Sequence, residues 1–208
     1  MKKGTSIIIN IALFAVVVFL AFMVVKSIQA PIKFGNEQKD REKEVVQRLI
    51  DIRDAEVQYK QANRKYTASF DTLIQFCQVA EIPIVNIIPD PTDTTFTRTI
   101  NDTIGMIKVM DSLFGEHKRP GFNVNDLRYV PFSNPTQEFE IEAGSITRSG
   151  TIQVPVFEVR TPYEVYLNGM DQQRINNAKA EKESINRYAG LKVGSMEEAS
   201  TDGNWEKL

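Results

Sequence analysis

Side chains suited to chemistry are sparse in this chain. It holds one cysteine, Cys77, and one histidine, His117. They lie far apart in sequence, without the further cysteines or the paired histidines that complete a metal-binding or nucleophile pattern. His117 sits in Glu116-His117-Lys118-Arg119-Pro120-Gly121, which reads as a solvated turn. Cys77 follows Ile74 and Phe76 and reads as a small buried hydrophobe. With no second cysteine it cannot close an intrachain disulfide. No glycine-rich phosphate loop and no nucleophile elbow are present. Carboxylates are the plentiful reactive class, 27 in all. A glycoside hydrolase needs two of them, so a hydrolase stays open as a minor reading, but nothing selects a pair. The expectation is a non-enzyme with no catalytic residue, no cofactor and no metal.

Binding is better represented. Glu138, Glu140 and Glu142 alternate with Phe139 and Ile141, which places the three glutamates on one face of a strand. Such a row is the wet face of a half-buried sheet, a docking patch for a basic partner, or a cation holder. Trp205, the only tryptophan, stands among polar residues near the C-terminus. It either docks back on its own domain or anchors a partner. Val45, Leu49, Ile52 and Tyr59 recur at four- and three-residue spacing and form an apolar seam for a partner or for the rest of the chain. The formal charge of −2 and a pI near 5.6 leave no basic surplus, so nucleic acid is not an expected partner.

The elements that carry these residues begin with Ile7–Val25, IIINIALFAVVVFLAFMVV, in which Asn10 is the one polar residue. As a helix it reaches roughly 28 Å, close to the ~30 Å hydrocarbon core of a bilayer. Ile7, Asn10, Phe14, Phe19, Phe22 and Val25 are expected to sit in the lipid bilayer as a membrane anchor. The apolar run exceeds a signal-peptide core, and Ile28 and Pro31 make a poor cleavage site around Ala30. A retained signal anchor is therefore expected. A plain count of positive charges would leave the C-terminal side in the cytoplasm. The short Lys2-Lys3 start argues the other way, and the expected arrangement is a single pass through a bacterial inner membrane. Residues 1–6 are then cytoplasmic and the bulk of the chain lies in the periplasm.

Pro31 and Gly35 read as a joint after the anchor. From Asn36 to Tyr66 the sequence lacks both Pro and Gly and is rich in helix formers. Its charged first turns should be solvated and its second half should lie on the following domain, so that residues 26–66 form a joint and a stalk helix of ~42 Å. Glu56 and Asn63 interrupt the seam, which marks an amphipathic helix rather than a coiled coil. Residues 67–208 read as a small α+β domain. Phe70, Leu73, Ile74 and Cys77 share one face of a short helix capped by Ser69 or Asp71. Ile82 to Ile88, Thr103 to Phe114, Leu127 to Phe132 and Tyr163 to Leu167 read as strands, with a turn-rich link over 90–95. Gln137 to Val159 reads as a hairpin turning at Ser149-Gly150, with Pro155 marking an edge or a bulge. Asp171 to Tyr188, within 170–189, reads as a surface helix ended by Gly190. Ser195 and Glu198 read as a capping-box pair at the start of a tail over 197–208.

This order, a membrane helix with a polar continuation, then Tyr66 and the Leu73-bearing short helix, resembles the layout of type II secretion pseudopilins and type IV pilins. Lys2-Lys3-Gly4 before an apolar run is similar to a prepilin cleavage site. The sequence departs from that pattern at Thr5, where the family usually has Phe, and at Ile9, where it has the glutamate used in assembly. The layout also resembles bitopic assembly-platform proteins of secretion and pilus machines. The resemblance implies a membrane-held scaffold that binds other envelope-machine proteins, or a subunit that forms a homo-oligomer by polymerising through its N-terminal helix.

Overall fold

The computed structural model describes residues 2–89, 99–133, 137–148 and 150–206. The expected link over 90–95 lies outside them, as does Ser149. The fold is mixed α+β, with a long N-terminal helix and two small antiparallel sheets.

One helix, α1, runs from Lys2 to Asn63 and passes through Pro31 and Gly35 without a break. This corrects the expected joint. A proline inside a helix removes one backbone donor and crowds the preceding turn, but strong helix formers on both sides carry the cooperative ladder past it. The helix ends where Arg64 adopts a left-handed φ of 62°, its N–H donating to the Lys60 carbonyl at 2.8 Å. Helix α2, Phe70–Val79, follows. The Ser69 side chain caps it by accepting from the Thr72 N–H, and the four residues expected to share a face are its buried ones.

Among the described residues, strands β1, Glu81–Pro89, and β2, Thr99–Lys108, pair only with each other as an antiparallel ribbon, with an irregularity between Ile84 and Val85. The expected strand over Thr103–Phe114 changes to helix α3, Val109–Phe114, halfway along. Val109 with Leu113, and Met110 with Phe114, then turn to the core at the four-residue spacing of a helix, which a strand would not serve. Leu127 to Phe132 is also not a strand. A 3-10 turn spans Val124–Arg128, started by the Asn123 side chain, and it buries Val124 and Leu127.

The second sheet has the order β3-β4-β5, from Glu140–Arg148, Ile152–Pro162 and Gly190–Gly194. The expected hairpin is β3 and β4. Central β4 buries Val156, Phe157, Glu158 and Val159 in succession, as a strand covered on both faces must. Its pairing with β5 runs only from Glu158 to Pro162. Pro155 therefore lies where β4 is an edge on that side, which suits a residue without an N–H.

Two elements at the C-terminal end also depart from expectation. Tyr163–Tyr166 is a helical turn, α4, that buries both tyrosines. Gly190 does not end a helix but opens β5, which was not anticipated, and Ser195 accepts from the Glu197 and Glu198 N–H groups in a bend rather than a helix. Helix α5, Gln172–Ser184, is the expected surface helix, capped by Asp171.

The core forms where the second half of α1 lies against α2, the 3-10 turn and the second sheet. Val45, Leu49 and Ile52 are fully buried there, and Tyr59 meets Phe76 edge to face at 5.2 Å. Tyr66 packs on Phe157 at 4.6 Å.

Candidate functional site

The first half of α1 has an apolar surface that none of the described residues covers. Phe14, Phe19, Phe22 and Val25 are half or more exposed, as are Ile28 and Ile32 beyond the expected span. Ile7 and Asn10 lie on the same helix. Among the described residues no other helix packs beside this half of α1, and an exposed apolar surface of this size calls for an apolar surrounding. By length and composition the helix can cross a bilayer.

The boundary between this stretch and the folded body is short. Phe34 already packs against the core, and Arg41 donates to the backbone carbonyls of Tyr166 at 3.1 Å and Asn168 at 2.9 Å. The first turns of the expected stalk are thus partly covered by the domain instead of being bare. The seam Val45, Leu49, Ile52 and Tyr59 is spent on this packing, so it is no free contact face for a partner.

The glutamate row is answered from within. Arg160 on β4 donates from Nε to Glu140 at 2.7 Å, from Nη2 to Glu142 at 2.7 Å and from Nη1 to Glu158 at 3.1 Å. These contacts, led by the bond to Glu140, hold the guanidinium pKa well above its ordinary value. Arg128 meets Glu138 at 3.4 Å and also pairs with Asp71. Lys192 meets Glu158 at 2.9 Å. A basic partner would have to displace arginines already in place. The row is better described as the polar face of the sheet, and it gathers no metal-like cluster among the described residues.

On the domain, several exposed apolar side chains gather on the β1–β2 ribbon. Ile84, Val85, Ile88, Ile104 and Met106 are exposed there, while Ile82 and Met110 at its root pack on the core. Among the described residues the ribbon has no third strand, which leaves its outer backbone groups open to a partner strand. Sequence reasoning found β1 as a strand that Pro83 limits to a sheet edge or a strand start, but not the exposure of its side chains, which depends on what the rest of the fold places beside it.

Three further features emerge only in three dimensions. Glu56, noted as a break in the seam, is fully buried. One of its oxygens accepts the Thr67 N–H at 3.1 Å and Oε1 has no partner. Burial drives its pKa up to about 8, against the opposing effect of the Thr67 bond. The neighbouring Cys77 thiol is pushed up to about 12, by burial first and the Glu56 charge second. The turn around His117 is tied down through Arg119, which pairs with the buried Asp51 of α1 at 2.7 Å. Trp205 docks back on the body: its ring covers Gly203, and the next residue, Glu206, pairs with Arg53 of α1 at 2.8 Å.

Comparison with protein-family models, curated proteins and solved structures finds no match to this chain.

Proposed function

We propose that this chain is a single-pass membrane protein whose extracytoplasmic domain binds other proteins of a cell-envelope assembly. The observation that supports this reading is α1 itself. It is one helix whose first half carries uncovered apolar side chains and whose second half is the backbone of the core. Anchor and domain are therefore joined through one continuous helix. The proposed partner contact is the β1–β2 ribbon, whose apolar exposure and free edges fit strand addition by another protein.

The test combines two reporters fused after residue 40, one active only outside the cytoplasm and one only inside it. Activity of the external reporter alone is expected, and activity of the internal reporter alone would overturn the orientation and the partners inferred from it.

The continuity of α1 also favours a second reading, a pilin-like subunit that polymerises through this helix. A helix that runs through Pro31 and Gly35 without a joint supports such a reading, since the resembled subunits carry the membrane helix into a polar continuation. Thr5 and Ile9 still depart from the pattern. Sequencing the mature N-terminus separates the two: a start at Met1 fits the retained anchor, and a start at Thr5 fits the pilin-like subunit.

A further inference from the structure

Between the end of α5, strand β5 and the C-terminal tail lies an open cavity of about 370 Å³, within the size range of small-ligand sites. Its walls are fixed by specific bonds. The chain reverses after α5 through Asn186, at a left-handed φ of 52°, while the Arg187 N–H donates to the Lys182 carbonyl at 3.0 Å. This brings Lys182, Asn186, Arg187 and Tyr188 to one rim. Opposite them, Asn204 pins the tail to β5. Its amide donates to the Gly190 carbonyl at 2.9 Å, its side-chain oxygen accepts the Lys192 N–H at 3.1 Å, and its own N–H donates to the Lys192 carbonyl at 2.9 Å. The tail then presents the Trp205 ring to the cavity.

The charges on this wall do not cancel internally. Lys192 is held by Glu158, but Lys182 and Arg187 make no side-chain ion pair among the described residues. Glu42 faces the same space. One of its oxygens accepts from Gln38 at 2.8 Å and from the Tyr166 hydroxyl at 3.3 Å. Tyr163 and Tyr188 also line it, both phenols pushed up to about 12 mainly by burial, so they remain neutral hydrogen-bonding rings.

Two free cations call for an acid group. The carboxylate of Glu42 would repel a bare anion but can accept from a hydroxyl. The rings of Tyr188 and Trp205 suit the C–H face of a pyranose. We propose that this cavity binds a small acidic sugar, with its carboxylate taken by Lys182 and Arg187, a hydroxyl donating to Glu42, and its ring against the aromatic wall. The site does not depend on the membrane reading of α1.

Trp205 is the only tryptophan of the chain, so its fluorescence reports on this wall directly. The full chain in detergent micelles is titrated with glucuronic acid, glucose and inorganic phosphate. A saturable change with glucuronic acid is expected, with much weaker responses to glucose and phosphate. Lys182→Ala and Arg187→Ala should each weaken glucuronic acid binding by about ten-fold, the worth of one charge-assisted hydrogen bond. Lys65→Ala, an exposed cation just past the far end of α1 and outside the cavity lining, should leave it unchanged. Lys182 lies in the last turn of α5 and Arg187 in the exposed segment that follows it, and circular dichroism checks that the variants fold. The proposal is overturned if glucuronic acid gives no saturable change. An equal response to phosphate, or wild-type binding by both variants, overturns it as well.

Discussion

A carboxylic acid inside an apolar core is a pH-dependent load on the fold, and Glu56 is such an acid. Its pKa is about 8 in the folded chain and an ordinary carboxylate value when unfolded, so between those values the folded state binds the extra proton. Stability must then fall as pH rises through this window, because deprotonation is easier in the unfolded chain. At acid pH both states are neutral and the cost is absent; above about 8 it is fully present, of the order of 5 kcal/mol. Glu56→Gln keeps an acceptor for the Thr67 N–H and removes the titration. Urea midpoints measured from pH 5 to 9 should fall steadily for the wild type and stay nearly level for the variant. An unchanged slope in the variant would place the titrating group elsewhere. The sequence shows that Glu56 interrupts the seam. It could not show that the seam continues through it, because whether Glu56 is buried depends on how the 64–69 segment folds back over α1.

At the scale of elements, patterns that depend on near neighbours were legible and those that depend on distant ones were not. Helix α2 follows from a capping serine and four apolar residues on one face, and the β3–β4 hairpin from strict alternation around a turn. Strand β5 has too few residues to show alternation, and α4 owes its helical turn to burial of Tyr163 and Tyr166 rather than to propensity. The glycines separate these cases experimentally. Gly35 sits inside α1 with open space where a Cβ would project, so Gly35→Ala should raise stability by about 0.5–1 kcal/mol. Gly194 ends β5 at a φ of 78°, and an added Cβ would strike the Phe157 carbonyl. Gly194→Ala should lower stability by more than 1 kcal/mol. Thermal melts of the two variants should therefore move in opposite directions.

For the whole molecule, α1 is the organising length. Its 62 residues span roughly 93 Å, yet Phe34 meets the core only nine residues after Val25, about 14 Å further along the helix. Under the proposed anchoring the domain therefore sits near the lipid surface and is not raised on a tall stalk. The β1–β2 ribbon then reaches sideways or outward from a fixed base. Ile104→Asp and Met106→Asp lie at exposed ribbon positions, so they should leave thermal stability within about 0.5 kcal/mol of wild type while abolishing partner capture by a photocrosslinker at position 84. Capture that persists in both variants would place the contact on another face.

The unbroken passage through Pro31 also makes the helix a drive shaft. Each residue inserted ahead of Phe34 would turn the domain by about 100° and lift it by ~1.5 Å, whereas a heptad would return it to within about 20° of its original bearing. Insertions of two and of seven alanines after Ser27 read out this phase. If the partner is itself fixed in the same envelope layer, two alanines should abolish ribbon crosslinking and seven should restore it. Equal capture by both would mean that the partner arrives freely from solution, with no azimuth to match.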